Sequence, residues 1–209
     1  MFDLIQKEAE RAELHLDSRL LDRLYSYTEL LTRWGQRINL TGKAEPGQII
    51  QRHLPDAFFL TAGLASIGVC CSAIDVGSGA GLPGLILALL RPDIRLTLVE
   101  PTMRKCSFLR TASYELDVPV CILQQRIESV QIVPQDLACS RATWPPEEWL
   151  RRAGALVHAK GKIVAFYSST TKAPVPPAGL DLIRELPYTL SDGTPRCIMF
   201  YQASTISNE

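Results

Sequence analysis

The chain has 209 residues, of which 46% are hydrophobic and 21% charged, and its 22 basic side chains balance 22 acidic ones. That length supports one sizeable core, or one doubly wound domain with a small appendage, and the composition excludes a disordered or fibrous chain. A formal net charge of zero excludes global attraction to a polyanion, so any nucleic acid has to meet a local basic patch.

Met-Phe-Asp-Leu-Ile-Gln-Lys-Glu-Ala-Glu at the N-terminus is too charged for a signal peptide, and no apolar run reaches membrane-spanning length. A cytoplasmic protein with no membrane partner is expected. Cys70, Cys71, Cys106, Cys121, Cys139 and Cys197 form no C-x-x-C and do not cluster with His15, His53 or His158. They read as small, reduced core residues, and no metal site is expected.

Residues 1–62 are helical in pattern. Leu16, Leu20, Leu24, Tyr27, Leu31 and Trp34 recur at three- and four-residue steps, with Asp17 or Ser18 able to cap the start. Gly35 weakens that helix, Ile38-Asn39-Leu40-Thr41-Gly42 reads as a turn, and a further helix is expected from Glu45 or Pro46 to Leu60. This segment is expected to be a helical extension, with residues 63–209 forming the main domain.

From about residue 72 short β-rich runs alternate with helical ones, the pattern of a mostly parallel sheet. Strands are predicted near 72–76, 95–100, 119–123, 136–140 and 161–167, and helices near 82–90, 102–116 and 146–154. Residues 171–179 form a Pro-rich connection. The stretches 182–190 and 196–203 flank Ser191-Asp192-Gly193-Thr194-Pro195 and read as a hairpin. The fold class is therefore α/β and Rossmann-like, a mostly parallel sheet that ends in an antiparallel C-terminal hairpin.

The run from Ala73 to Gly84 reads as a buried strand ending in a glycine-rich turn, with Pro83 in the first turn of the next helix. It fits two registers. From Gly79, the set Gly79, Gly81 and Gly84 fits G-x-G-x-x-G, with Glu100 about 20 residues on, as in dinucleotide-binding folds. From Asp75, the set Gly77, Gly79 and Gly81 fits acidic-x-G-x-G-x-G and resembles the cofactor loop of S-adenosylmethionine (SAM) methyltransferases. The acid favours the second: an Asp75 carboxylate facing the crevice would meet an ammonium group but repel a pyrophosphate.

Ligands of such sheets lie beyond the carboxyl ends of the strands, which directs attention to 75–82, Glu100, 125–128 and 140–142. Glu100 is placed to accept hydrogen bonds from ribose hydroxyls. Arg126-Ile127-Glu128 follows the third strand, where an apolar Ile127 beside a polar Glu128 suits a purine edge. Arg126 and Glu128 read equally as an exposed ion pair.

Five stretches occur in order: Trp34-x-x-x-Ile38-Asn39-Leu40-Thr41, Arg52-His53-x-x-Asp56, Asp75-Val-Gly-Ser-Gly-Ala-Gly-Leu-Pro-Gly84, Arg104-Lys105-x-x-Phe108-Leu109 and Ser140-Arg141-Ala142. Together they resemble the small-subunit ribosomal RNA guanine-N7 methyltransferases of the GidB family, over roughly residues 15–145. The resemblance implies SAM as donor and a guanine of 16S ribosomal RNA, or the small ribosomal subunit, as acceptor. Gly77, Leu82, Ile127, Glu128 and Arg141 would then touch the cofactor, and His53, Arg126 and Arg141 the RNA and target base. Arg33, Arg37, Lys43, Arg52, Arg104, Lys105 and Arg110 could face phosphates.

Two stretches depart from the family on the acceptor side. Thr143-Trp144-Pro145-Pro146-Glu147 replaces Phe and small residues, and Ala165-Phe166-Tyr167-Ser168-Ser169 stands where the family has Lys-Gly. Trp144 reads as the start of a proline-led helix or as a stacking partner for a flipped base. Two rivals stay open: a nicotinamide-dependent (NAD) oxidoreductase, from the overlapping glycine register, and an inactive ribosome-binding homologue, from the altered stretches.

Overall fold

A computed structural model describes residues 1–42, 45–68, 70–168 and 175–204. Its strands are β1 (Ser72–Val76), β2 (Arg95–Val99), β3 (Cys121–Leu123), β4 (Gln135–Ser140), β5 (Val157–Tyr167), β6 (Leu180–Thr189) and β7 (Pro195–Ala203). They form one sheet in the order β3-β2-β1-β4-β5-β7-β6. The first five are parallel, and β7 lies antiparallel between β5 and β6. The order reverses between β1 and β4, so the crevice above that pair is where a ligand is expected.

Helices α5 (Gly84–Leu90), α6 (Met103–Glu115) and α7 (Pro146–Ala153) connect the strands. Pro83 caps α5 from just outside rather than sitting within its first turn. β5 starts at Val157, earlier than the expected 161, and its pairing shifts register between Gln135 and Leu137. Such a bulge inserts residues that alternation of apolar and polar positions cannot reveal.

The N-terminal helices are α1 (Phe2–Arg11), α2 (Ser18–Gly35), α3 (Pro46–Arg52) and α4 (Leu54–Leu64). Asp17 caps α2, its carboxylate accepting from the Leu20 amide at 2.8 Å. The one helix expected over 46–60 is two. Pro55 has no amide with which to continue α3, so the chain breaks at His53 (φ −118°) and restarts with the proline in the first turn of α4.

Leu24, Tyr27 and Leu31 of the predicted stripe are buried, and each contributes about 1.5–3 kcal/mol of burial. α1 to α4 share a core with α5, α6 and one face of the sheet. A second core lies on the other face, where Trp149 and Leu150 of α7 pack with Ile163 of β5 and Met199 and Tyr201 of β7. All six cysteines are free; Cys70, Cys106, Cys139 and Cys197 are in the core, but Cys71 and Cys121 are exposed. Among the described residues no helix is long and apolar enough to cross a membrane. Of the Pro-rich connection, residues 171–174 lie outside the described residues, as do Lys43 and Ser169.

Candidate active site

At the end of β1 the chain turns over the tip of β2, with the amides of Gly77 and Ser78 both donating to Val99 O, at 2.8 and 3.1 Å. Gly79 follows in a left-handed conformation (φ +53°) that side chains rarely adopt. Its amide donates to Glu100 Oε2 at 3.0 Å, and the Thr102 amide donates to Glu100 Oε1 at 2.9 Å. Glu100 is only 3% exposed and thus fixed, yet each carboxylate oxygen keeps a lone pair for a further donor. From behind, Tyr27 of α2 donates to Ala80 O at 2.8 Å, and Tyr27 and Trp34 both pack edge-on against Phe108. The N-terminal stripe is therefore the brace of the glycine turn.

Asp75 differs from expectation. It is fully buried behind the turn instead of facing the crevice, with Oδ2 accepting from the Gly84 amide at 3.1 Å and Oδ1 3.8 Å from Cys139 Sγ. Burial pushes its carboxyl up to about 6, opposed first by the Gly84 amide and then by Arg141. α5 comes this close because residue 84 is glycine: a Cβ there would lie 2.6 Å from Asp75 Oδ2.

The crevice is a cavity of about 420 Å³, within the usual range for small-molecule sites. Gly77, Gly79 and Leu82 line it from the turn, Glu100, Thr102 and Lys105 from the second strand and its helix, Arg141 and Thr143 from beyond β4, and Leu40 from the N-terminal segment. One carboxylate and two cations thus face the same space. Gly81 shapes the turn without lining the cavity, its left-handed φ of +81° carrying the chain into α5.

Beyond β4 the site is built from side chains. Arg141 donates to Asp56 Oδ2 at 2.7 Å, and the Tyr188 hydroxyl of β6 donates to the other oxygen of the same carboxylate. Asp56 is 1% exposed, so the pair is held inside the protein. His53, at the break between α3 and α4, lies close enough to feel Arg141; burial first, and then that cation, pull its imidazole down to about 4. It is neutral at pH 7. Ala142, the next residue after Arg141, is left-handed (φ +57°), a costly conformation for a residue with a Cβ.

The structure does not bring every predicted residue to the cavity. Arg126 is exposed, Ile127 and Glu128 form a 3-10 turn after β3, and Glu128 pairs with Arg152 at 2.7 Å rather than with Arg126. Trp144 is not a free stacking surface. Its ring lies parallel to Trp149, with centroids 6.0 Å apart, and Arg152 sits over it at 5.4 Å. Arg33 and Arg52 each pair with an acid, Glu115 at 3.3 Å and Asp192 at 3.2 Å. Thr102 and Tyr188 were not singled out by sequence, and Thr143 was named only within the stretch 143–147. Leu40 and Asp56 lay inside two of the five stretches, whereas nothing local marks Tyr188.

Sheet order, reversed β7 and glycine turn define a Rossmann-like methyltransferase fold. The crystal structure of magnesium protoporphyrin IX methyltransferase (ChlM) from Synechocystis with bound SAM shares it, at a TM-score of 0.61 and 13% identity over 91% of this chain and 99% of that one. More specifically, the chain belongs to the GidB family, described as rRNA small subunit methyltransferase G, whose model matches residues 20–175. It is 39% identical over 142 residues to the ribosomal RNA small subunit methyltransferase G of Acidiphilium cryptum, a match that spans 67% of this chain and 64% of that relative. The protein of the same name from Wolinella succinogenes is 34% identical over 78% of this chain and 82% of its own length.

Proposed function

We propose that the chain binds SAM in the cavity above β1 and β4 and methylates N7 of a guanine in 16S ribosomal RNA, acting in the cytoplasm. The observation that carries this reading is Glu100, whose carboxylate is fixed by the Gly79 and Thr102 amides at the cavity wall with lone pairs to spare for two ribose hydroxyls. One carboxylate facing Lys105 and Arg141 also matches a donor whose amino-acid end is itself zwitterionic. When bound, SAM supplies an electrophilic methyl group on a sulfonium.

Guanine N7 offers an in-plane lone pair and no hydrogen, so the chain has no proton to remove. Its residues hold the two partners in line and exclude water. Leu82 and Gly77 would flank the donor, and the turn at Ile127 and Glu128 would receive the adenine edge beyond Glu100. His53 and Arg141 lie on the acceptor side, where Arg126 would serve at the rim. Asp75 acts through Gly84 instead of by touching the donor. The same bond weighs against the nicotinamide reading, because the Gly84 amide at the start of α5 already serves a carboxylate where a pyrophosphate would need it free.

Labelled methyl transfer from SAM to unmodified small ribosomal subunits, followed by mapping of the modified base, tests the reading. The expected result is label on one guanine of 16S ribosomal RNA. SAM binding without transfer would instead identify a ribosome-binding homologue that has lost activity, and NADH binding in place of SAM an oxidoreductase.

A further inference from the structure

Tyr188 stands in β6, beyond residues 20–175 that the family model matches, and is nevertheless tied to the cavity wall. Its hydroxyl donates to one oxygen of Asp56, while the other oxygen accepts from Arg141, which lines the cavity. The ring is held as firmly as the hydroxyl, stacking on Phe59 with centroids 4.3 Å apart and planes 19° from parallel. Tyr188 is 8% exposed and Asp56 1%, so water does not replace either bond.

A buried carboxylate with one cationic partner can still rotate and let the guanidinium swing. Two partners on different oxygens remove that freedom. Burial and the neighbouring Asp56 raise the phenol well above its usual range, so it stays a donor at any working pH. Two distant elements, α4 and β6, therefore converge on the orientation of one guanidinium just beyond β4.

We propose that Tyr188 is a positioning residue of the reaction: through Asp56 it fixes Arg141 in the orientation that methyl transfer requires. This rests on the proposed SAM-dependent activity and adds to it a residue from the C-terminal hairpin.

The test compares methyl transfer to small subunits, SAM affinity and melting temperature in the wild type, Tyr188→Phe, Asp56→Asn, the double variant and Leu150→Ala. Tyr188→Phe keeps the stacked ring and is expected to slow transfer about tenfold, the size of one hydrogen bond to a charged group. In the Asp56→Asn background the same change should add no further loss, since the link is already cut. Leu150→Ala, in the core on the other face of the sheet, should lower the melting temperature and leave transfer unchanged.

Equal transfer by wild type and Tyr188→Phe overturns this inference alone. So does an equal fold-loss in both backgrounds, which would mark a merely structural tyrosine. A wild type that neither binds SAM nor transfers a methyl group sinks the functional reading, and this inference with it.

Discussion

The two halves of the crevice are built differently. Under β1 and β2 the wall is mostly backbone, with turn amides, the tip of a strand and one carboxylate fixed between two amides. Beyond β4 it is made of side chains that meet across the molecule, Arg141 with Asp56 85 residues away and Asp56 with Tyr188 132 residues away. Backbone walls tolerate drift in surrounding side chains but not in the glycines. Side-chain walls can be re-aimed.

The sharpest challenge to this contrast is at Gly84. An added methyl would lie 2.6 Å from Asp75 Oδ2 and 2.7 Å from Asp75 Cβ. Gly84→Ala should cost about 3 kcal/mol and lower the melting temperature by roughly 6–12 °C, read by circular dichroism. A change under about 1 kcal/mol would show that α5 does not need its close approach to β1.

Next in size is a pH effect at Asp75. Its folded value of about 6 lies above the ordinary 3.8, so its stabilising contribution is full below pH 3.8 and lost as pH rises through 6. His53 runs the other way: its folded value of about 4 lies below 6.5, so its contribution is full above pH 6.5 and lost as pH falls through 4. Asp75→Asn should therefore gain on the wild type between pH 4 and 7 by on the order of 2–3 kcal/mol, leaving the His53 slope exposed. Denaturant midpoints at several pH values measure this, and a gap that fails to widen with pH contradicts the burial of the carboxylate.

Smaller still is the effect expected on the acceptor side at Trp144. Trp144→Ala removes the stack on Trp149 and the contact with Arg152 and should cost about 1–2 kcal/mol of stability. Affinity for small subunits should not change. Weakened subunit binding with an unaltered melting temperature would return the ring to the role of base-stacking platform.

The same contrast governs what could be read from sequence. β1 spans the expected residues, and Gly77, Gly79 and Glu100 meet at the cavity, because spacing within one turn and one strand dictates that geometry. Asp75 was placed at the right strand end but on the wrong side of the turn. Local pattern does not say that Gly84 would bring an amide to the carboxylate before a ligand could reach it. Arg141 was found from its motif, its partner Asp56 sat unassigned in another, and Tyr188 carried no signal at all. The break at His53 was visible in principle, since Pro55 announces it. The proline-led helix expected after Trp144 is α7, but the stack of Trp144 on Trp149 and under Arg152 was not legible, because those side chains become neighbours only once α7 has formed.

Calorimetric titration with SAM of the wild type and of Glu100→Ala tests the central claim most directly. Saturable binding is expected of the wild type, with a loss of more than about tenfold in the variant, which leaves the Gly79 and Thr102 amides without their acceptor. Equal affinity in the two proteins would contradict it.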